Sequence, residues 1–199
     1  MRLKDRVVIV TGGASGIGKS ISIKAANEGA RVVVADIRET PLEGGQNTVD
    51  AILMAGGIST YMNTDVTNDN DVKKLISNTV KKYGFLDVII NNAAAHGRAA
   101  LLETTEDEWD RVMAVGAKGM FFGCKYAIEQ MLKQNSRQGS EVRGRIVNIS
   151  SQHGMIRAPN DFAYGVSKAC AVYMTRQIAG DYAKFGFVCN AVAPGKILT

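Results

Sequence analysis

Tyr164 and Lys168 stand four positions apart in a segment whose apolar residues recur at helical spacing. Side chains at i and i+4 of a helix leave from the same face, so a phenol and an ammonium would reach one pocket. A free phenol titrates near pH 10, too high for efficient acid–base work at neutrality. A neighbouring ammonium favours the phenolate and lowers that value. Tyr-x-x-x-Lys alone is commonplace on exposed helix faces. Ser150 and Ser151 give it weight, because they end the strand-like run RIVNIS just ahead of that helix. A hydroxyl there can hold the oxygen of a substrate while the phenol exchanges a proton with it.

A second cluster lies near the start of the chain. Thr11-Gly12-Gly13-Ala14-Ser15-Gly16-Ile17-Gly18-Lys19-Ser20 follows the apolar run VVIV. Glycines let a backbone turn sharply and approach a phosphate, and a helix N-terminus offers free N–H groups and a positive dipole end. Two patterns overlap in these residues. Gly12-x-x-x-Gly16-x-Gly18 is a variant dinucleotide turn, whereas Gly13-x-x-x-x-Gly18-Lys19-Ser20 satisfies the phosphate-loop pattern of nucleotide triphosphatases. Asp36 lies 18 residues after Gly18, at the end of RVVVAD. A carboxylate there suits the hydroxyls of an adenosine ribose and repels a 2′-phosphate, which favours NAD over NADP; Arg38 partly offsets that preference.

The elements that must position these residues follow from periodicity. Short β-branched runs alternate with longer helical stretches. Strands are expected at Val7–Val10, Arg31–Asp36, Ile58–Met62 (the weakest), Leu86–Asn92, Arg145–Ser150 and Phe187–Val192. Helices are expected at Ile17–Glu28, Val49–Ala55, Asn68–Tyr83, Glu106–Gln134 in one or two pieces, and Phe162–Phe185. Strands apolar on both faces and separated by helices imply an α/β fold, a doubly wound parallel sheet covered on each side. Ligands of such sheets bind at the carboxyl ends of the strands. Every unusual cluster named above falls at such an end. Residues 1–199 read as a single dinucleotide-binding and catalytic domain.

Taken together, the turn Thr11–Gly18, Asn91-Asn92-Ala93-Ala94, Ser151, Tyr164-x-x-x-Lys168 and Asn190-Ala-Val-Ala-Pro194-Gly195 resemble the short-chain dehydrogenase/reductase family. The motifs occur in the family's order across essentially the whole chain and displace the phosphate-loop reading. The resemblance implies a Rossmann-like sheet and an NAD(P)-dependent exchange of hydride between a secondary alcohol and its ketone. It implies Tyr164 as the acid/base and Ser151, thirteen residues before it, as the group that orients the substrate oxygen. Lys168 would also bind the nicotinamide ribose. The cofactor, NAD in preference to NADP, would meet Gly12, Ser15, Gly16, Ile17 and Gly18 at the turn. Asp36 would meet the ribose, Asp65 and Val66 the adenine, and Asn92, Ala93 and Ala94 would run along the cofactor. Pro194, Gly195, Ile197 and Thr199 would border the nicotinamide and its carboxamide. The expected partners are a small alcohol or carbonyl substrate and a second copy of the chain, paired through the two long helices.

Two departures stand out against that resemblance. Gly116 occupies the place of a helix asparagine that supports a proton-relay water, so Gly116→Asn is expected to restore a relay. Relatives also continue past strand six through a substrate-covering segment and a final strand. Without these, strand six would be an open apolar edge and the chain aggregation-prone and weakly active. A nucleotide-binding relative with little activity is the alternative function.

Composition limits the remaining classes. Hydrophobic residues make up 46% and charged residues 22% of the 199, which suits a globular domain. The net charge of +5 is scattered; Lys73-Lys74 and Lys81-Lys82 lie on a polar helix face without interleaved aromatics, so neither nucleic acid nor a membrane surface is expected as partner. No apolar run approaches the ~20 residues of a membrane span, and the opening MRLKDRVVIV does not read as a secretory leader. Three cysteines without CxxC spacing point to a reducing, cytoplasmic setting. His96 and His153 follow strands four and five; they lack metal-ligand spacing and read as ordinary loop histidines before contact with substrate.

Overall fold

A computed structural model describes residues 1–197. Six parallel strands form one sheet in the order β3-β2-β1-β4-β5-β6. They are β1 (Val7–Thr11), β2 (Arg31–Asp36), β3 (Ile58–Asn63), β4 (Val88–Asn91), β5 (Gly144–Ile149) and β6 (Phe187–Val192). The helices are α1 (Gly16–Asn27), α2 (Thr48–Met54), α3 (Asp69–Tyr83), α4 (Glu106–Met113), α5 (Met120–Leu132) and α6 (Phe162–Tyr182). The strand order reverses between β1 and β4, and the crevice of a doubly wound sheet opens at such a switch point.

The central strands are buried on both faces because alternate residues enter different cores. Val8 and Val10 of β1 and Val32 and Val34 of β2 pack with Ala25, Ala26 and Ile52 under α1 and α2. Ile9, Val33 and Ile89 pack the other way, with Val72, Leu75 and Ile76 of α3 and Met120, Ala127 and Met131 around α5. The outer strands differ. β3 is partly exposed along its length, which accounts for its weak sequence signal. β6 stands at the sheet edge, buried at Phe187 and Cys189 and exposed over Asn190–Val192.

Several boundaries move for identifiable reasons. Asn68 caps α3 instead of starting it, its Oδ1 accepting from the amides of Asn70 and Asp71 at 2.9 and 3.3 Å. Asn92 leaves the sheet because its amide donates to Thr11 Oγ1 at 3.0 Å. The long helix is a single run containing one π turn, Ala114–Gly119, between α4 and α5. That wide turn carries Gly116.

Candidate active site

The crevice at the carboxyl ends of the strands has a volume of about 650 Å³. Its two ends are built by different parts of the chain. At one end the turn after β1 approaches the segment after β4. Gly12 has φ of +61°, and a Cβ there would stand 3.0 Å from Ala93 Cα. Gly18 packs behind the turn, where a Cβ would collide with Gly12 O; it shapes the turn and does not line the crevice. Asn92 ties the two segments together, its Nδ2 donating to the carbonyls of Thr11 and Gly12 at 3.0 and 3.1 Å. The Ala93 amide donates to Thr11 Oγ1 at 3.1 Å. Gly12, Ser15, Gly16 and Ile17 line this end, with Asn92, Ala93 and Ala94 beside them.

Asp36 stands at the crevice edge with its Oδ2 accepting from the Ala14 amide at 3.1 Å. Asp65 and Val66 also line the crevice; Asp65 Oδ1 accepts from the amide and hydroxyl of Thr67 at 2.9 and 2.8 Å, which fixes the turn after β3. In the first turn of α1 the amides of Ile17 and Gly18 find no acceptor among the described residues, as the geometry of helix ends requires. These donors, the close backbone approach at Gly12 and the acid of Asp36 fit a dinucleotide. Lys19 does not fit the phosphate-loop alternative. Its Nζ donates to Gln46 O at 2.7 Å, and the side chain is absent from the crevice wall.

At the other end, β5 and α6 bring Ser151, Tyr164 and Lys168 to one wall, although 13 and 17 residues separate Ser151 from the other two. Ser150 and Ser151 have different partners. Ser150 Oγ donates to Lys168 O at 2.8 Å, which anchors α6 to the strand end. Ser151 Oγ accepts from the His153 amide at 3.2 Å and lines the same wall as Tyr164. The Gln152 amide donates to Pro194 O at 3.0 Å, holding Pro194 and Gly195 against the same wall. Ile197 lies half-exposed and does not line the crevice. Thr199 lies outside the described residues.

The electrostatics differ from the spacing argument. Burial raises the Tyr164 phenol above its ordinary value and outweighs the opposing influence of the nearby Ser151 hydroxyl. Lys168 Nζ lies 5.5 Å from the Tyr164 ring centroid and donates instead to Ile149 O at 2.8 Å. The phenol's net shift in this arrangement is therefore upward, opposite to the lowering expected from the ammonium. Lys168 itself is 2% exposed, and burial pushes its amine down to about 8.

Both histidines, read from the sequence as ordinary loop residues, pack on Tyr164. The His96 ring stacks on the phenol ring at 4.4 Å with planes 22° apart. The His153 ring meets it edge-on at 6.2 Å, and His153 Nδ1 stands 2.8 Å from Asp161 Oδ2. Burial lowers the His96 imidazole below its usual range, so it is neutral at pH 7. Leu42, Ala95, Arg111 and Val115 also line the crevice, and no motif or spacing singles them out.

Gly116 reads differently once its neighbour is known. A Cβ at Gly116 would stand 2.8 Å from Ser167 Oγ and 3.0 Å from Ser167 Cβ. Ser167 is fully buried, and its hydroxyl donates to Tyr164 O at 2.8 Å. Glycine therefore allows the π turn to lie against the first turns of α6. Asparagine would press on the helix that carries Tyr164. Gly116→Asn is expected to lower stability by ~1–3 kcal/mol, the usual range for overpacking, and not to raise turnover. Adding Ser167→Gly should recover part of the loss in urea melts. A faster enzyme from Gly116→Asn alone would reinstate the missing relay as the defect.

The fold, the glycine turn at one end of the crevice and the Ser-Tyr-Lys wall at the other define an oxidoreductase class that known proteins share. A family model described as short chain dehydrogenase matches residues 6–199, and the chain belongs to that family. An uncharacterized oxidoreductase of Thermotoga maritima is 40% identical over 195 residues, covering 98% of this chain and 73% of that protein. A 3beta-hydroxysteroid dehydrogenase of Mediterraneibacter gnavus is 38% identical, covering 97% and 66%. A crystal structure described as a short-chain dehydrogenase/reductase of Burkholderia xenovorans superposes with a TM-score of 0.89 at 30% identity, covering 100% of this chain and 77% of that one. Members of the family use NAD(H) or NADP(H).

Proposed function

We propose that the chain is an NAD-dependent dehydrogenase or reductase acting on a secondary alcohol or its ketone. The observation that carries this reading is that Ser151, Tyr164 and Lys168 line the same crevice as the glycine turn and Asp36, at its opposite end. A nicotinamide dinucleotide, when bound, supplies or accepts the hydride. Gly12, Ser15, Gly16, Ile17 and the Asn92–Ala94 segment would hold it, with Asp36 on its adenosine ribose and Pro194 and Gly195 at its far end. Ser151 Oγ orients the substrate oxygen. Tyr164 Oη gives that oxygen a proton during reduction and removes it during oxidation. Lys168 supplies a buried positive charge beside the phenol and a donor for the nicotinamide ribose. Burial favours the protonated phenol, and the positive charge of an oxidised nicotinamide beside it would favour the phenolate.

A reducing, cytoplasmic setting remains part of this proposal, on the spacing of the three cysteines in the sequence. Pairing of two copies through the long helices is supported by the exposed rings of Phe121 on α5 and Tyr173 on α6.

NADH absorbance measured over a panel of secondary alcohols and ketones tests the reading. Turnover is expected with NAD(H), and Asp36→Ala should bring the NADP(H) and NAD(H) rates within about tenfold of one another, the scale of one lost charge repulsion of ~1 kcal/mol or slightly more. Cofactor binding without turnover on any substrate would favour the weakly active nucleotide-binding alternative. Tighter, magnesium-dependent ATP binding would reject the dinucleotide altogether.

A further inference from the structure

The segment between β2 and α2 is tied back onto the start of α1. The Leu42 amide donates to Ser15 Oγ at 2.8 Å, and the Gly16 amide donates to Glu43 Oε1 at 3.0 Å. Ser15 is therefore flanked by two amides that each hold a carboxylate. The amide before it, Ala14, is bonded to Asp36; the amide after it, Gly16, is bonded to Glu43. Successive Cα atoms are 3.8 Å apart, so the two acids converge on one short stretch of backbone. Leu42, next to Glu43, lines the crevice, which sets the segment at the adenosine end.

We infer that Glu43 is a second specificity-determining residue for the nucleotide and acts with Asp36 to exclude a 2′-phosphate. This rests on the dinucleotide reading of the crevice. The first turn of a helix attracts phosphate through its free amides and its dipole. Here Glu43 takes the Gly16 amide and adds a like charge to that of Asp36. The Gly16 hydrogen bond holds the Glu43 carboxyl below the usual carboxylate range, so the repulsion is present at neutral pH. Two cations stand near. Lys19 is committed to Gln46 O, whereas Arg38 lines the crevice and makes no ion pair among the described residues. Removing the Glu43 charge would leave Arg38 opposed by Asp36 alone.

Titration of nicotinamide fluorescence on the full chain, with NADH and NADPH against wild type, Glu43→Gln, Asp36→Ala and the double variant, tests this. Glutamine keeps an oxygen for the Gly16 amide, so the segment stays in place and only the charge goes. Glu43→Gln is expected to tighten NADPH about fivefold while NADH stays within about twofold, and the double variant should tighten NADPH more than either single change. The gain should shrink as salt is raised. Wild type that binds neither nucleotide would defeat the dinucleotide reading itself. NADH binding with an unchanged NADPH affinity in Glu43→Gln would overturn the inference alone. Equal tightening of both nucleotides would also overturn it, because Glu43 would then compete with the cofactor instead of choosing between cofactors.

Discussion

Tyr164→Phe is expected to lower kcat by about a thousandfold and to leave the NADH dissociation constant within about twofold. Positioned acid–base groups contribute about 10²–10⁴-fold, and this substitution removes the phenol hydroxyl from the crevice wall that Tyr164 shares with Ser151 and Lys168. The ring stays, so the stack on His96 and the edge contact with His153 persist and the wall keeps its shape. Steady-state turnover and a nucleotide titration on the same preparation separate the two effects. A variant that retained most of its turnover would move proton transfer elsewhere, and His96 would be the first residue to examine, since its neutral imidazole lies against the phenol.

Lys168→Met should abolish activity yet make the protein more stable at pH 7. Lys168 is among the largest fully buried side chains, and its amine has one hydrogen bond, to Ile149 O. Burial pulls the folded-state value from 10.5 to about 8. The unfolded chain therefore binds more protons between those two values, and the stability of the wild type rises with pH through that window. Below pH 8 both states carry the charge, and the folded state bears its full desolvation cost of about 3 kcal/mol. Methionine fills a similar volume without a charge but leaves Ile149 O without this donor. The expected net gain is ~1–2 kcal/mol at pH 7, fading as the pH approaches 10. Urea melts of both proteins at pH 7 and pH 9.5 measure it. A less stable variant at pH 7 would show that the Ile149 hydrogen bond outweighs the desolvation of the amine. Such a gain would mark Lys168 as a residue kept for chemistry at some cost to the fold.

Much of this site is legible in the amino-acid order because its signals are local. The alternation of β-branched runs with helical periods marks β1, β2, β5 and β6 and the helices between them, since strand and helix periods each need only a few residues to register. The four-residue spacing of Tyr164 and Lys168 places both on one face of α6 by helix geometry alone. Gly12 and Gly18 announce a turn that no larger residue could make, and the end of RVVVAD puts Asp36 beside it. The strand ends that carry Ser151 and Asn92 follow from the same pattern.

What tertiary structure alone decided involves residues far apart in the chain. Gly116 reads as a flaw in a helix until α6 is packed against it, when Ser167, 51 residues later, shows why a side chain has no room. His96 and His153 are loop residues by position, and only the convergence of β4 and β5 on α6 brings both rings to Tyr164. The direction of the phenol's shift also depended on the packed interior. Spacing puts an ammonium on the same helix face, but burial acts on both groups, and the nearest acceptor for the ammonium is Ile149 O. Glu43 carries no motif; its place is set by three-dimensional closure of the β2–α2 segment onto α1. Sequence determines the periods, turns and same-face pairs, because these are fixed by backbone geometry over a few residues. Desolvation and contacts across the sheet depend on which distant surfaces exclude water together, and that is settled when the chain packs.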